Sequence, residues 1–212
     1  MQDKEVINIL QNKLNFSSKS IEALKIFVDA LINANKIHNF ISRSTEANIW
    51  HRHILDSAQL VKYLDFSKGS LSDLGSGAGF PGLVLAIFNN NKDFHVKLYE
   101  KSPVKRAFLH EISNKLSIKV EIKGNIYEET VDSDYLVCRA FKKLEVIIQV
   151  SREIVKKPHK LIVLKGQNAQ EDLKKALKRE KYDYKLEDSI TNKDSKIIIV
   201  DIKKWPQLFR WL

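Results

Sequence analysis

The sequence predicts an α/β protein with a Rossmann-like, mostly parallel seven-stranded sheet, a helical cap at the N-terminus and an antiparallel hairpin at the C-terminus. Three observations lead to this class: residues 1–48 show helical periodicity, short apolar runs then alternate with longer helical stretches, and the last two apolar runs have no helix between them. Strands that alternate with helices build a parallel sheet, whereas strands joined by a short turn pair antiparallel. We therefore expect a helical cap over residues 1–48 and a second domain over residues 49–212.

The cap is predicted from apolar residues three and four positions apart, which line one face of an amphipathic helix. These residues are Ile21, Leu24, Phe27, Val28, Leu31 and Ile32. Ser17 or Ser18 suits the N-cap of this helix, because a serine hydroxyl accepts from a free backbone N–H there. A further helix is predicted over residues 46–64, and it carries the basic cluster His51-Arg52-His53.

Seven apolar runs are predicted to be strands. They are 71–74, 94–99, 118–122, 135–137, 161–164, 182–186 and 196–202, with helices expected near Pro81 and over 104–116, 144–155 and 169–177. A turn around Asn192-Lys193-Asp194 joins the last two strands. A parallel sheet that ends in an antiparallel hairpin is the plan typical of class I S-adenosylmethionine-dependent methyltransferases.

Four of the seven glycines fall within eight residues, between the first predicted strand and a helix. They are Gly75, Gly77, Gly79 and Gly82. Glycine accepts positive φ and has no Cβ, so this turn can bend sharply and bring backbone against a ligand. A nucleoside-triphosphate loop needs Gly-Lys-Ser/Thr, which the sequence lacks. Residues 77–82 do match the dinucleotide pattern GxGxxG by letter, so an oxidoreductase remains an alternative.

Two acids favour S-adenosylmethionine as the ligand. Asp73 lies at the carboxyl end of the first strand, where a carboxylate would repel a pyrophosphate but hold a cationic α-amino group. Glu100 ends the next strand, where it can accept hydrogen bonds from ribose hydroxyls. Both residues have the alternative role of structural caps in the turn.

Composition sets the remaining bounds. The formal net charge of +10 favours a polyanionic partner, although the abundance of lysine, isoleucine and asparagine is also what a biased base composition would produce. The chain has no run of about 18 apolar residues and no apolar leader after Met1, so a cytoplasmic protein with no membrane contact is expected. A single cysteine, Cys138, excludes an internal disulfide and a cysteine-rich metal site, and no metal is expected.

Five segments then occur in an order that resembles the GidB family, also called RsmG, over about residues 5–203. They are Arg52-His53-Ile54-Leu55-Asp56-Ser57, Asp73-Leu74-Gly75-Ser76-Gly77-Ala78-Gly79-Phe80-Pro81-Gly82, Lys105-Arg106-Ala107-Phe108-Leu109, Arg139-Ala140-Phe141 and Leu164-Lys165-Gly166-Gln167. The resemblance implies methylation of N7 of one guanine in 16S ribosomal RNA of the small ribosomal subunit, with S-adenosylmethionine as the donor.

The resemblance also implies site residues. The cofactor would contact Gly75, Phe80, Ile126, Tyr127 and Arg139, in addition to the loop glycines and the two acids. Arg139 would bridge cofactor and acceptor as the catalytic residue, since its planar fork can bond a cofactor carboxylate or guanine O6; an ordinary surface ion pair is its alternative role.

Three further side chains are predicted RNA contacts. His51 and Arg52, with His53 beside them, would touch phosphate or cap a helix over the cofactor, and Lys165 would face the RNA or the solvent. A monomer is expected. The aromatic tail, residues 205–212, would stack on bases or pack on its own protein.

The expected chemistry needs no general base, because guanine N7 has an in-plane lone pair and no proton. Amine methyltransferases commonly carry Asn or Asp followed by Pro-Pro and an aromatic after the fourth strand, and this chain has Val137-Cys138-Arg139-Ala140-Phe141 instead. Methylation of pyrimidine C5 needs a cysteine nucleophile, but the apolar neighbours of Cys138 favour an inert thiol. Two alternatives stay open: a methyltransferase for another nucleic acid or a small molecule, and a non-enzymatic ribosome assembly factor.

Overall fold

The computed structural model describes residues 1–176 and 182–203. The N-terminal part contains α1 (Asp3–Leu14), α2 (Ser18–His38) and α3 (Arg43–Glu46). Ser17 is the N-cap of α2, and its side chain accepts from the Ser20 backbone N–H, as the sequence predicts. The aromatic tail at 205–212 and the expected end of a helix at Leu177 lie outside the described residues.

The continuous helix predicted over residues 46–64 is wrong. The segment forms a π-helix (Trp50–Leu55), one turn of α-helix α4 (Asp56–Ala58) and a 3-10 helix (Gln59–Tyr63). Four of the six π-helical residues are buried, namely Trp50, His53, Ile54 and Leu55. Helix α1 packs against the π-helix, and α5 (Gly82–Phe88) packs against α4. The segment therefore has to bury side chains on more than one face, whereas a regular amphipathic α-helix buries a single apolar stripe.

The remaining elements alternate as predicted and form one seven-stranded sheet. The strands are β1 (Gly69–Leu74), β2 (Phe94–Tyr99), β3 (Glu121–Lys123), β4 (Tyr135–Arg139), β5 (His159–Lys165), β6 (Asp183–Asp188) and β7 (Lys196–Ile202). The helices between them, besides α5, are α6 (Pro103–Lys115), α7 (Leu144–Ile154) and α8 (Ala169–Ala176).

The strand order is β3-β2-β1-β4-β5-β7-β6. Pairs among β1 to β5 are parallel, whereas β7 pairs antiparallel with both β5 and β6. The predicted C-terminal antiparallel hairpin is thereby confirmed. The predicted start of the third strand at Ile118 is wrong: α6 ends in a turn with Ser117 at φ 54°, and pairing begins only at Glu121.

Two apolar clusters cover the two faces of the sheet. Val137 and Ile162 belong to the cluster that includes α1, α2, α5 and α6, while Leu136 and Leu161 belong to the one with α7 and α8. This alternation follows from the two-residue period of a strand. Since residues 1–48 share a cluster with α5 and α6, the boundary at residue 48 stays a prediction. Among the described residues, no helix combines the length and apolar character needed to cross a bilayer.

Candidate functional site at the carboxyl edge of the sheet

The glycine loop, residues 75–81, leaves β1 and leads into α5. Gly75, Gly77 and Gly79 have φ angles of 75°, 58° and 107°, in the left-handed region that glycine tolerates best. The backbone N–H groups of Gly75 and Ser76 both donate to the carbonyl of Tyr99, each at 2.9 Å. The first two residues of the loop are therefore fixed to the end of the neighbouring strand β2.

The three glycines differ in what surrounds them. A Cβ on Gly75 would lie 2.7 Å from Cδ2 of Phe141, and one on Gly79 would lie 3.0 Å from Cβ of Leu83. A Cβ on Gly77 would meet only the Gly75 carbonyl, at 3.9 Å. Gly77 is therefore the position at which the loop backbone borders open space, as a ligand cradle requires.

Asp73 is fully buried at the end of β1. Its Oδ2 accepts from the Gly82 backbone N–H at 2.9 Å, so a donor of the first turn of α5 is already used inside the protein. Its Oδ1 is buried and has no hydrogen-bond partner. Burial raises the pKa of this carboxyl to about 7, although the bond from Gly82 acts in the opposite direction. These contacts make Asp73 a support for the turn, and its contact with a ligand stays a prediction.

Glu100 holds the loop from the side of β2. Oε2 accepts from the Gly77 N–H at 2.9 Å and Oε1 from the Ser102 N–H at 2.8 Å. The residue is buried next to the strand end. Each carboxylate oxygen keeps further lone-pair capacity, so both a structural role and the predicted bonds to ribose hydroxyls are compatible with this geometry.

Arg139 ends β4, two strands away from Glu100. Its guanidinium lies over the ring of Phe80, 5.0 Å from the ring centroid, in a cation–π arrangement. Two aromatic rings also lie next to Phe80: the distance between ring centroids is 4.9 Å for His53, which stacks on it, and 5.4 Å for Phe27. The fold thus brings Arg139 and Phe80, two predicted cofactor contacts, directly together.

Two side chains and one backbone carbonyl of the segment 52–56 hold the guanidinium in place. Arg139 Nη2 lies 2.7 Å from His53 Nδ1, and Nη1 donates to the Arg52 carbonyl at 3.1 Å and to Asp56 Oδ2 at 3.4 Å. Burial lowers the pKa of His53 to about 3, and the charge of Arg139 adds to this effect. Sequence reasoning missed Asp56; the only signal for it was its place in the Arg52–Ser57 segment.

The predicted adenine wall lies beyond β3. Asn125 caps a 3-10 turn over Ile126–Glu128 by accepting from the Tyr127 N–H. Ile126 is buried in the same cluster as Leu74 and Tyr99, at the ends of β1 and β2, whereas Tyr127 is 52% exposed. A buried aliphatic next to an exposed aromatic suits one face of an adenine ring. Both assignments stay predictions.

The predicted RNA contacts are not brought together equally. Arg52 is exposed, His51 is half-buried with a pKa lowered by burial, and both belong to the π-helix beside Arg139. His53 points inward instead. Lys165, at the end of β5, has a side chain 19% exposed that forms an ion pair with Asp172 at 2.6 Å. Its charge is therefore compensated within the protein.

Cys138 is fully buried, and burial raises the pKa of its thiol. A thiol in this setting stays protonated and is no nucleophile. In the part of the chain that the structure describes, no group of three or more His, Cys, Asp or Glu side chains is placed to hold a metal ion.

Comparison with known proteins gives a consistent family. The model of the GidB family, described as rRNA small subunit methyltransferase G, matches residues 20–199. The ribosomal RNA small subunit methyltransferase G of Pelagibacter ubique is 35% identical over 202 residues, covering 92% of this chain and 93% of that protein. The protein of the same name from Rickettsia felis is 38% identical over 181 residues, covering 85% and 92%.

Solved structures of similar fold are more distant in sequence. A SAM dependent methyltransferase from Aquifex aeolicus aligns with a TM-score of 0.57 at 13% identity, over 79% of this chain and 96% of that one. A precorrin-6y C5,15-methyltransferase from Geobacter metallireducens aligns with a TM-score of 0.52 at 14% identity, over 69% and 87%. At these identities the likeness concerns the fold, which is the class I methyltransferase fold predicted from the sequence.

Proposed function

Because the chain belongs to the GidB family of rRNA small subunit methyltransferases, we propose that it transfers a methyl group from S-adenosylmethionine to N7 of one guanine in 16S ribosomal RNA. Family membership supports the reaction class, the cofactor and the ribosomal RNA acceptor. The choice of guanine N7 rests on the resemblance and on the chemistry of the site.

One observation carries the proposal at the level of residues. At the carboxyl edge of the sheet, Gly77 borders open space, Glu100 bonds to the backbone of that same glycine, and Arg139 lies over Phe80 from the same loop. Ligands of open α/β sheets bind at this edge. A cradle with an acid on one side and a cation on the other fits S-adenosylmethionine, which carries both hydroxyls and a carboxylate.

In this proposal Gly75, Gly77 and Gly79 give the loop its shape, and Gly77 admits the cofactor against the backbone. Glu100 accepts from the ribose hydroxyls, while Ile126 and Tyr127 cover the adenine. Asp73 orders the turn that receives the amino-acid end, and its unpartnered Oδ1 is the atom available for the α-amino group. Bound S-adenosylmethionine supplies an electrophilic methyl group on its sulfonium.

The chain's own contribution to the reaction is positioning and charge. Guanine N7 attacks through its lone pair, so no side chain has to remove a proton. His53 is neutral at physiological pH and its Nδ1 is engaged by Arg139, a state in which it exchanges no proton with a substrate. Arg139 keeps N–H donors for a carboxylate or for guanine O6, and holds the acceptor in line with the methyl group.

The wider setting is part of the same proposal. Residues 1–48 act as a helical cap on a methyltransferase domain over residues 49–212. The enzyme works in the cytoplasm as a monomer, without a metal ion, and His51, Arg52 and Lys165 contact the RNA. The net charge of +10 supports an RNA partner, since neutralised phosphates release counterions.

The test is transfer of radiolabelled methyl groups from S-adenosylmethionine to small ribosomal subunits from cells that lack the gene, followed by identification of the labelled nucleoside. We expect 7-methylguanosine at a single position. Label in another nucleoside would overturn the choice of N7. Cofactor binding without label on subunits or free RNA would favour another acceptor, and absence of cofactor binding would favour an assembly factor.

A further inference from the structure

The guanidinium of Arg139 is fixed by residues 83 to 87 positions earlier in the chain. Nη1 bonds to the Arg52 carbonyl and the Asp56 carboxylate, and Nη2 bonds to the His53 ring. A guanidinium has five N–H donors. These contacts use three of them, so Nε–H and one Nη2–H have no partner among residues 1–176 and 182–203.

The His53 ring has only one tautomer that satisfies its neighbours. Arginine is a donor at every nitrogen, so Nδ1 of His53 must be the acceptor. The proton of the neutral imidazole is then on Nε2, which donates to Thr45 Oγ1 at 2.9 Å. The ring also stacks on Phe80, 4.9 Å between centroids, and is itself buried. His53 therefore presents a fixed lone pair to Arg139 in a fixed direction.

The Asp56 carboxylate is also held in place by hydrogen bonds to its other oxygen. Its Oδ1 accepts from Gln59 Nε2 at 3.0 Å and from Thr191 Oγ1 at 2.9 Å, which leaves Oδ2 for Arg139. Gln59 in turn accepts from the Ile190 backbone N–H at 2.9 Å. The carboxylate is thus held by the turn between β6 and β7, and neither partner of Arg139 is free to rotate away.

We propose that His53 and Asp56 are positioning residues for Arg139: they set the direction in which its two remaining donors point. This inference rests on the proposed function, in which those donors bind the cofactor carboxylate or the acceptor guanine. It gives the segment 52–56 a role in the reaction that differs from contact with RNA phosphate. Such a role requires that loss of the His53 acceptor slow methyl transfer more than it weakens cofactor or RNA binding.

Three variants separate this role from simple packing. His53→Phe keeps an aromatic ring on Phe80 but removes the acceptor. His53→Asn restores an acceptor, because the asparagine Oδ1 occupies about the place of the histidine Nδ1. Thr45→Val removes the bond on the far side of the ring, together with the bonds from Thr45 to Ser42, but keeps the Nδ1 acceptor, so it serves as the matched control.

The measurements are kcat and KM for methyl transfer to small ribosomal subunits, the Kd of S-adenosylmethionine, the thermal midpoint, and ¹⁵N NMR of the Arg139 guanidinium. For His53→Phe we expect kcat to fall by about 10- to 100-fold, the range of a hydrogen bond to a charged group. KM and the midpoint should change little. His53→Asn should recover most of kcat, and Thr45→Val should stay within about twofold of the wild type.

The NMR experiment reports positioning without any turnover. Rotation about the Cζ–Nη2 bond should be slow in the wild type and in His53→Asn, and fast in His53→Phe. Normal kcat with unchanged guanidinium dynamics in His53→Phe would overturn the inference, as would an equal loss of kcat in Thr45→Val. A wild type that labels no subunits would refute the proposed function, and the guanidinium dynamics would still decide the inference.

Discussion

Asp73 and Arg139 lie at the carboxyl ends of neighbouring strands, Asp73 fully buried and Arg139 half-buried, and the protein holds them in different ways. Asp73 is held by a backbone N–H only nine residues further along the chain, and one of its oxygens has no partner. Arg139 is held by two side chains and a carbonyl more than 80 residues earlier, and stacks on the glycine loop. The first site is local, and the second is assembled from distant segments.

The difference predicts how each residue contributes to the site. A fully buried carboxyl with a raised pKa supports the backbone turn around it. The Arg139 guanidinium has fixed partners and keeps two donors, which in the proposed function bind the cofactor carboxylate or guanine O6. We therefore expect substitutions at Arg139 to affect chemistry, and substitutions at Asp73 to affect stability, loop order and the affinity for S-adenosylmethionine.

The largest effect is expected from Arg139→Ala. Methyl transfer at saturating S-adenosylmethionine should fall by about 100- to 1,000-fold, as for loss of one preorganised donor at a reacting centre. Arg139→Lys keeps the charge but not the fork, so most of the rate should still be lost. Initial rates on small subunits decide this, and normal turnover in Arg139→Ala would remove the residue from the reaction.

Two alanine substitutions in the glycine loop are expected to have smaller effects, one on cofactor affinity and the other on stability. Gly77→Ala and Gly75→Ala both place a side chain at positive φ, which costs about 1–2 kcal/mol of unfolding free energy. Gly75→Ala adds a clash with Phe141, whereas the new methyl of Gly77→Ala enters open space. We expect Gly77→Ala to lose more affinity for S-adenosylmethionine and Gly75→Ala more stability. Calorimetric Kd values and urea unfolding measure the two; the reverse ranking would place the cofactor elsewhere.

The raised pKa of Asp73 predicts that the free energy of unfolding decreases as pH rises. Its folded pKa of about 7 exceeds the unfolded value of 3.8, so between these pH values the folded state keeps a proton that the unfolded state has released. The free energy of unfolding then decreases with rising pH through this window, by roughly 4 kcal/mol at most. Urea unfolding of the wild type and of Asp73→Asn between about pH 4.5 and about pH 7.5 should show a flatter profile for the variant.

The lowered pKa of His53 predicts the opposite dependence of stability on pH. Its folded pKa of about 3 lies below the ordinary value of 6.5, so as pH falls from about 6.5 the unfolded state takes up a proton that the folded state refuses. Stability contributed in this way decreases toward acid, by roughly 5 kcal/mol at most. His53→Asn should remove this acid limb while leaving the limb of Asp73. An acid limb of the same steepness in His53→Asn would assign it to other groups.

The smallest effects concern Arg52, whose carbonyl bonds to Arg139, and Lys165, which ends the strand next to β4. Arg52 is exposed, so Arg52→Ala should reduce the salt dependence of RNA binding by about one unit of slope. Lys165→Ala should change that slope less, because Asp172 already neutralises the ammonium group. Filter binding at several salt concentrations measures both. Equal slopes for the two variants would show that the ion pair opens on RNA.

The accuracy of the secondary structure predicted from the sequence differs between elements. The strand over 94–99 and the hairpin strand over 196–202 match their predicted bounds, because apolar runs bounded by polar turns have few alternative structures. The segment 46–64 does not match, since its buried residues serve several neighbours at once. Local periodicity describes one packing face, and a π-helix between α1 and α5 has more than one.

The candidate site divides in the same manner. Asp73, the glycines and Glu100 stand at strand ends that the sequence marks. The acceptor for Arg139 on His53, and the contact of Phe141 with Gly75, join residues far apart in the chain. The spacing of residues in the sequence does not predict such contacts.

The amino-acid sequence by itself determined the class I fold, the glycine turn at the carboxyl edge of β1 and the acids beside it, because these depend on periodicity and on backbone geometry over a few residues. Only the tertiary structure decided that Gly77, among the glycines of the loop, faces open space, that Asp73 is buried against Gly82, and that residues 52–56 hold Arg139. The physical reason is that burial and hydrogen-bond direction depend on which distant segments the folded chain brings into contact.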